Sequence, residues 1–220
     1  MRFFDPSLFA RTYRDPMAWG ALIVDLIPVY AALAFGWSAA PLVLLYWLEN
    51  LVIGVVTLAR MTIAAMREHP IGLVAMVFFG PFFFFHYGMF SFVHGQFLIA
   101  FANISTASSN STFLSPIGLI NEALSSGPGM PLFIGLIAAW QGVSLAVDYI
   151  GKGEYLNAEI GKEMMAPYGR VIVLHIALFA GAAAMVALGQ PMIGVLALIM
   201  LRVAWGIFIS MRRKLRLEAA

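Results

Sequence analysis

Cysteine is absent from the 220-residue chain. That absence excludes disulfides, thiolate zinc sites, cysteine-held iron–sulfur clusters and cysteine nucleophiles. Charge is scarce as well: 11% of the residues are Asp, Glu, Lys or Arg, where a soluble domain carries about a quarter. The net charge of +2 is too small to point to nucleic acid. There is no Gly-rich phosphate loop, no GxSxG elbow and no c-type haem motif. Met1–Pro16 holds three Arg and two Asp with no small-residue cleavage motif after it, which is not the pattern of a cleavable signal.

What is there instead is apolar surface. The chain is 62% hydrophobic, with mean hydropathy +0.90, and lipid is the simplest solvent for such a composition. A helix needs about 20 apolar residues to cross the hydrocarbon core. Six such helices use nearly the whole chain and leave no separate soluble domain. The expected architecture is therefore all-α: a polytopic six-helix transmembrane bundle over residues 17–211. An amphipathic segment at residues 1–16 lies on the membrane surface, and a basic tail occupies residues 212–220. The spans are read at Met17–Phe35, Pro41–Met66, Ile71–Phe101, Pro131–Ile150, Pro167–Leu188 and Pro191–Met211. Gly80-Pro81 predicts a kink in the third. The polar stretch 102–130 is the longest loop, and Pro116–Leu124 within it reads as a short surface helix. Gly189-Gln190-Pro191 closes the last two spans into a hairpin. The connector GKGEYLNAEIGKEMMAP is balanced in charge and reads as solvated.

Orientation follows from Lys and Arg. Arg2, Arg11, Arg14, Arg60, Arg67, Lys152, Lys162, Arg170, Arg212, Arg213, Lys214 and Arg216 all fall on one side of this six-span arrangement. The opposite connections, Gly36–Ala40, Ala102–Met130 and Gly189–Gln190, carry none. Both termini are thus expected in the cytoplasm, with the chain in the inner (cytoplasmic) membrane.

The remaining basic residue, Arg202, lies inside the sixth span with Asp25, Glu49, Asn50, His86, His94, Gln96, Gln141, Asp148 and His175 in the others. Ionisable groups at that depth cost several kcal/mol unless they face the bundle interior and find partners. Reckoned at 1.5 Å per residue, Glu49 and His94 lie at about 12 and 10 Å from the outer face, and His86, His175, Asp25, Arg202 and Gln141 at roughly 15–22 Å. Asp148 is nearer the cytoplasm. Arg202 is the natural cation partner of Glu49 or Asp25. His86 and His94 are eight apart, roughly 12 Å of rise and about 80° of rotation, so they are not the i, i+4 pair of an HExxH site. Gly88 and Gly95 each follow a histidine closely and would let a neighbouring helix approach. Neutral imidazole suits zinc, copper and iron. Three histidines with a carboxylate, namely His86, His94, His175 and Glu49, therefore form a candidate metal-ligand set. Asp25, Asn50, Gln141 and Arg202 form a supporting polar network. A haem b between His86 and His175 is a lesser alternative. His69, in the Arg67–Pro70 turn, reads as interfacial.

The stretches YWLENLVIGVVTLARM, FFFFHYGMFSFVHGQF and PYGRVIVLHIALFAG resemble an uncharacterised family of small prokaryotic multi-pass membrane proteins, classed as a domain of unknown function, over residues from about 40 to 210. The resemblance implies that Glu49, His86, His94, Arg170 and His175 belong to the family pattern. It brings no activity with it.

Three functions are compatible with these residues. The first is a membrane-embedded metal site, hydrolytic or redox, with Glu49 as base or ligand. The second is a small proton-coupled carrier or channel using Asp25, Glu49, His86, His175 and Arg202 as a relay. The third is a non-catalytic accessory subunit whose polar residues only specify helix packing. The expected partners are the lipid bilayer and a second copy of the chain.

Overall fold

The computed structural model describes residues 6–101, 115–169, 171–172 and 191–219. Eight α-helices are described: α1 (Pro6–Thr12), α2 (Pro16–Phe35), α3 (Ala39–Arg67), α4 (Ile71–Phe101), α5 (Pro116–Ser125), α6 (Met130–Ser144), α7 (Ile160–Met165) and α8 (Pro191–Ala219). A π-helical turn, Leu145–Gly151, prolongs α6, and a 3-10 turn covers Glu154–Asn157. No strand occurs among the described residues. Four of these helical stretches are long and apolar enough to cross a membrane: Pro16–Phe35, Ala39–Arg67, Ile71–Ala100 and Met130–Gly151. The chain is a multi-pass membrane protein. The expected fifth span and the turn after it lie mostly outside the described residues. The expected sixth falls within α8.

Local signals set the helix ends. Asp15 caps α2, its carboxylate accepting the Met17 N–H at 2.9 Å, and Pro16 follows at the first helical position, where its missing N–H costs nothing. Gly36 ends α2 with φ 63°, a left-handed conformation that suits glycine. Ser115 caps α5 through the Gly118 N–H, again ahead of a proline. Pro81 does not break α4, which runs as one helix from Ile71 to Phe101.

The helix α3 is the centre of the bundle. In its most apolar stretch 56% of residues are buried, against 17% in each of the other three candidate spans. Leu44 through Asn50 are buried without interruption, as expected of a helix surrounded on all sides. It packs against α4, α6, α7 and α8. Two apolar clusters fill the interior. One gathers Trp37, Leu42–Leu48, Leu98, Leu119, Met130 and Phe133; the other gathers Met61, Phe83, Tyr87, Tyr149, Ile160 and Val171. Along α3 and α4 the buried polar residues Glu49, Asn50 and Ser91 come where one cluster gives way to the other.

Two expectations need correction. The connector after α6 is not a solvated strand of chain. Its 3-10 turn and α7 pack on α3, and Ala158 and Ile160 are buried. Of its charges, Lys152 pairs with Asp15, Glu154 with Arg213 and Glu163 with Arg60, while Lys162 and Glu159 pair with each other. The face of α1 that carries Leu8, Thr12 and Tyr13 is buried, and α1 packs against α8. Protein therefore covers part of this amphipathic segment.

Candidate functional site

The seam between α3 and α4 is built by two reciprocal glycine contacts. A Cβ on Gly95 of α4 would stand 2.7 Å from the Trp47 indole of α3, and a Cβ on Gly54 of α3 would stand 2.7 Å from the Tyr87 ring of α4. Each helix thus seats a large ring of the other where it has no side chain. Hydrogen bonds fix both rings. Trp47 Nε1 donates to the Ser91 carbonyl at 2.7 Å, and the Tyr87 hydroxyl donates to the Asn50 carbonyl at 3.0 Å. Gly88 serves no such purpose: a Cβ there meets nothing within 4 Å.

Beside this seam is a cavity of about 10 Å³ lined by Trp47, Asn50, Phe90, Ser91, His94 and Val171. That is room for about one water-sized species. His94 is half-buried with its ring 4.6 Å from that of Phe90. Glu49, 1% exposed, precedes Asn50 on α3, about 100° around the helix from it.

The other predicted site residues are placed as follows. His86 does not line the cavity. It is exposed, stacks on Phe82 at 5.4 Å, and has its Nδ1 2.8 Å from the Tyr168 hydroxyl. Asp25 on α2 faces α8 at Gly206, where any Cβ would overlap its carboxylate. Burial pushes the Tyr13 hydroxyl above its usual range and the nearby Asp25 charge adds to that. The side chain of Arg202 lies outside the described residues. Gln141 is half-buried on α6, and its carbonyl accepts the Leu145 N–H. His175 lies outside the described residues. Among the described residues no three His, Asp or Glu side chains stand close enough to hold one metal ion. The four-ligand set is therefore not assembled from them; Asn50 and His94 are brought together, and His86 is not.

A second polar feature went unread in the sequence. At the basic end of the bundle, Asp148 is 3% exposed within the π-helical turn. Arg213 Nη1 lies 2.5 Å from its Oδ2 and Lys152 Nζ 3.0 Å from its Oδ1. Lys152 also reaches Asp15 at 2.7 Å, and Arg213 reaches Glu154 at 2.6 Å. Nearby, Arg60 pairs with Glu163 at 2.8 Å and lies over the Tyr149 ring at 4.3 Å. The connections that the sequence makes basic thus meet at one end of the bundle. The only advance signal was Asp148 and Lys152 at i, i+4; the Arg213 partner is too distant in sequence to be read.

A model of the family of unknown function DUF6498 matches residues 7–220. No curated protein and no solved structure matches the chain.

Proposed function

For this chain, which belongs to the DUF6498 family of unknown function, we propose an intramembrane site for one divalent transition-metal ion (zinc, copper or iron) at the α3–α4 seam. The observation that supports it is the small cavity lined by His94, Asn50 and Ser91, next to the fully buried Glu49 at the boundary of two apolar clusters. A buried carboxylate beside an imidazole is a donor set suited to such an ion. His94 and Glu49 are the proposed ligands, joined by His175, which comes four residues after the cavity-lining Val171 in the sequence. His86, turned to Tyr168, is left out. An ion of this class supplies Lewis acidity or, for copper and iron, electron transfer. Glu49 would either hold the ion or, if left off it, serve as the base beside it.

The test is elemental analysis, with an absorption spectrum, of protein purified without a metal-binding tag. About one ion per chain is expected, lost in His94→Ala and Glu49→Gln and kept in His86→Ala. A Soret band would redirect the assignment to haem b. A metal-free protein that stays folded would overturn it and favour a second reading. In that reading the polar groups only lock helices together, as the Trp47–Ser91 and Tyr87–Asn50 bonds already do; proton flux in liposomes, abolished by Glu49→Gln, would instead mark a carrier.

The same proposal places six spans in the cytoplasmic membrane with both termini in the cytoplasm, supported by the confinement of the basic connections to one end. Because the native chain has no cysteine, single cysteines introduced at Ser7, Ser126 and Leu215 report sidedness cleanly. In intact cells an impermeant maleimide should label Ser126→Cys alone. Labelling of Ser7→Cys or Leu215→Cys would sink this topology.

A further inference from the structure

We propose that the α1–α8 side of the basic end binds the headgroup of an anionic phospholipid, with an acyl chain lying along the outer face of α2. Carboxylates already answer several of the basic residues at this end. Arg60 pairs with Glu163, Arg67 with Glu68 and Lys162 with Glu159. Lys152 sits between Asp15 and Asp148, and Arg213 between Asp148 and Glu154. Arg14 and Arg212 are exposed, and no carboxylate pairs with either among the described residues. They flank the same network: Arg14 precedes Asp15 and Arg212 precedes Arg213. The α1–α8 packing brings their two segments together. Both of these exposed arginines thus stand next to the Asp15–Lys152–Asp148–Arg213 network.

What lies beside these arginines identifies the ligand as a lipid. Phe9, Tyr13 and Trp19 form an aromatic step, with centroids 4.5 Å apart for the first pair and 5.3 Å for the second. The Trp19 indole N–H donates to the Tyr13 carbonyl at 2.8 Å, while 52% of the residue remains exposed. An amphipathic ring held at a helix start is the arrangement found at headgroup level. From Trp19, the exposed residues Ile23, Leu26, Tyr30 and Leu33 continue along one face of α2. That stripe leads away from the arginines into the hydrocarbon. Exposed guanidiniums at the basic end, with an apolar track that starts at Trp19 close to Arg14, match a phosphodiester headgroup with its chains, and juxtamembrane basic residues draw such lipids. A soluble anion would have no use for the stripe.

The experiment uses the full chain in nanodiscs of phosphatidylcholine carrying brominated phosphatidylglycerol or brominated phosphatidylcholine. Bromine quenches nearby tryptophan, and the difference between wild type and Trp19→Phe isolates Trp19. Quenching by the anionic lipid is expected at roughly tenfold lower mole fraction than by the zwitterionic one. The preference should fall to near unity in Arg14→Gln/Arg212→Gln and persist in the charge-retaining Arg14→Lys/Arg212→Lys. Lys162→Gln, which removes a paired lysine elsewhere on the rim, should leave it intact. Equal quenching by the two lipids in the wild type would overturn the proposal. So would a preference that survives Arg14→Gln/Arg212→Gln or disappears in Lys162→Gln.

Discussion

Asp148→Ala is expected to lower the stability of the detergent-solubilised protein by about 2–3 kcal/mol, read as a clear drop in melting temperature. Breaking a fully buried ion pair by removing one partner costs about 3–5 kcal/mol, because the other charge stays behind without compensation. Here the Asp148 side chain is 5% exposed, while Arg213 and Lys152 keep 29% and 33% of their side-chain surface. Water can therefore reach the stranded cations, and the cost is discounted accordingly. Asp148→Asn, which keeps the shape and one acceptor, should fall between. Tryptic cleavage of the tail should also accelerate, since Arg213 is held by Asp148 and Glu154. A melting temperature equal to wild type in Asp148→Ala would show that the network contributes nothing. The same network sets a pH dependence. Partial burial raises the Asp15 carboxyl, but Lys152 and the Met17 N–H outweigh this and hold it below its usual range. Its contribution is present above the ordinary carboxyl pKa, about 4, and is lost as pH falls through the lowered value. Partial burial lowers the Lys152 ammonium, but Asp15 and Asp148 outweigh that and hold it above its usual range. Its contribution is present below about pH 10 and is lost as pH rises through the raised value. Lys152→Met should flatten both limbs of the melting profile.

Gly95→Leu is expected to be more damaging than the same change at Gly88. Even the first carbon added at Gly95 lands 2.7 and 2.8 Å from Trp47 ring atoms and 3.1 Å from its Nε1. Trp47 is 3% exposed and is held by its bond to the Ser91 carbonyl. Overpacking of a well-filled interior costs about 1–3 kcal/mol. Moving the indole also breaks its 2.7 Å bond to the Ser91 carbonyl, worth about 1 kcal/mol. The sum, about 2–4 kcal/mol, should appear in thermal unfolding. Gly95→Ala should show a milder form of it together with a reshaped cavity beside His94. At Gly88 a side chain meets open space, so Gly88→Ala should be neutral or slightly stabilising through helix propensity. Equal behaviour of the two positions would mean that the α3–α4 contact is not the one described.

Much of the helical framework was legible in advance. Pro16–Phe35, Ala39–Arg67, Ile71–Phe101 and Met130–Gly151 begin and end within about two residues of the spans read from the sequence, because proline, glycine and polar punctuation sets the ends locally. Rise per residue also put Glu49 and His94 near one level. The sequence could not tell Gly95 from Gly88. Both follow a histidine, and only the rotation of α4 against α3 turns one toward Trp47 and leaves the other open. The same rotation turns His86 toward Tyr168 rather than toward the cavity that His94 lines. Asp148 looked like a stray carboxylate near the membrane edge because its guanidinium partner is 65 residues away.

The sequence by itself determined that this chain lives in a membrane, where its helices run, and which connections are basic, since composition, length and local capping act over a few residues. Only the tertiary structure decided which polar groups meet. Contacts such as Trp47 with Gly95, Asp25 with Gly206 and Arg213 with Asp148 depend on how whole helices are turned and set against one another. That arrangement is chosen by the packing of the complete bundle, not by any one segment.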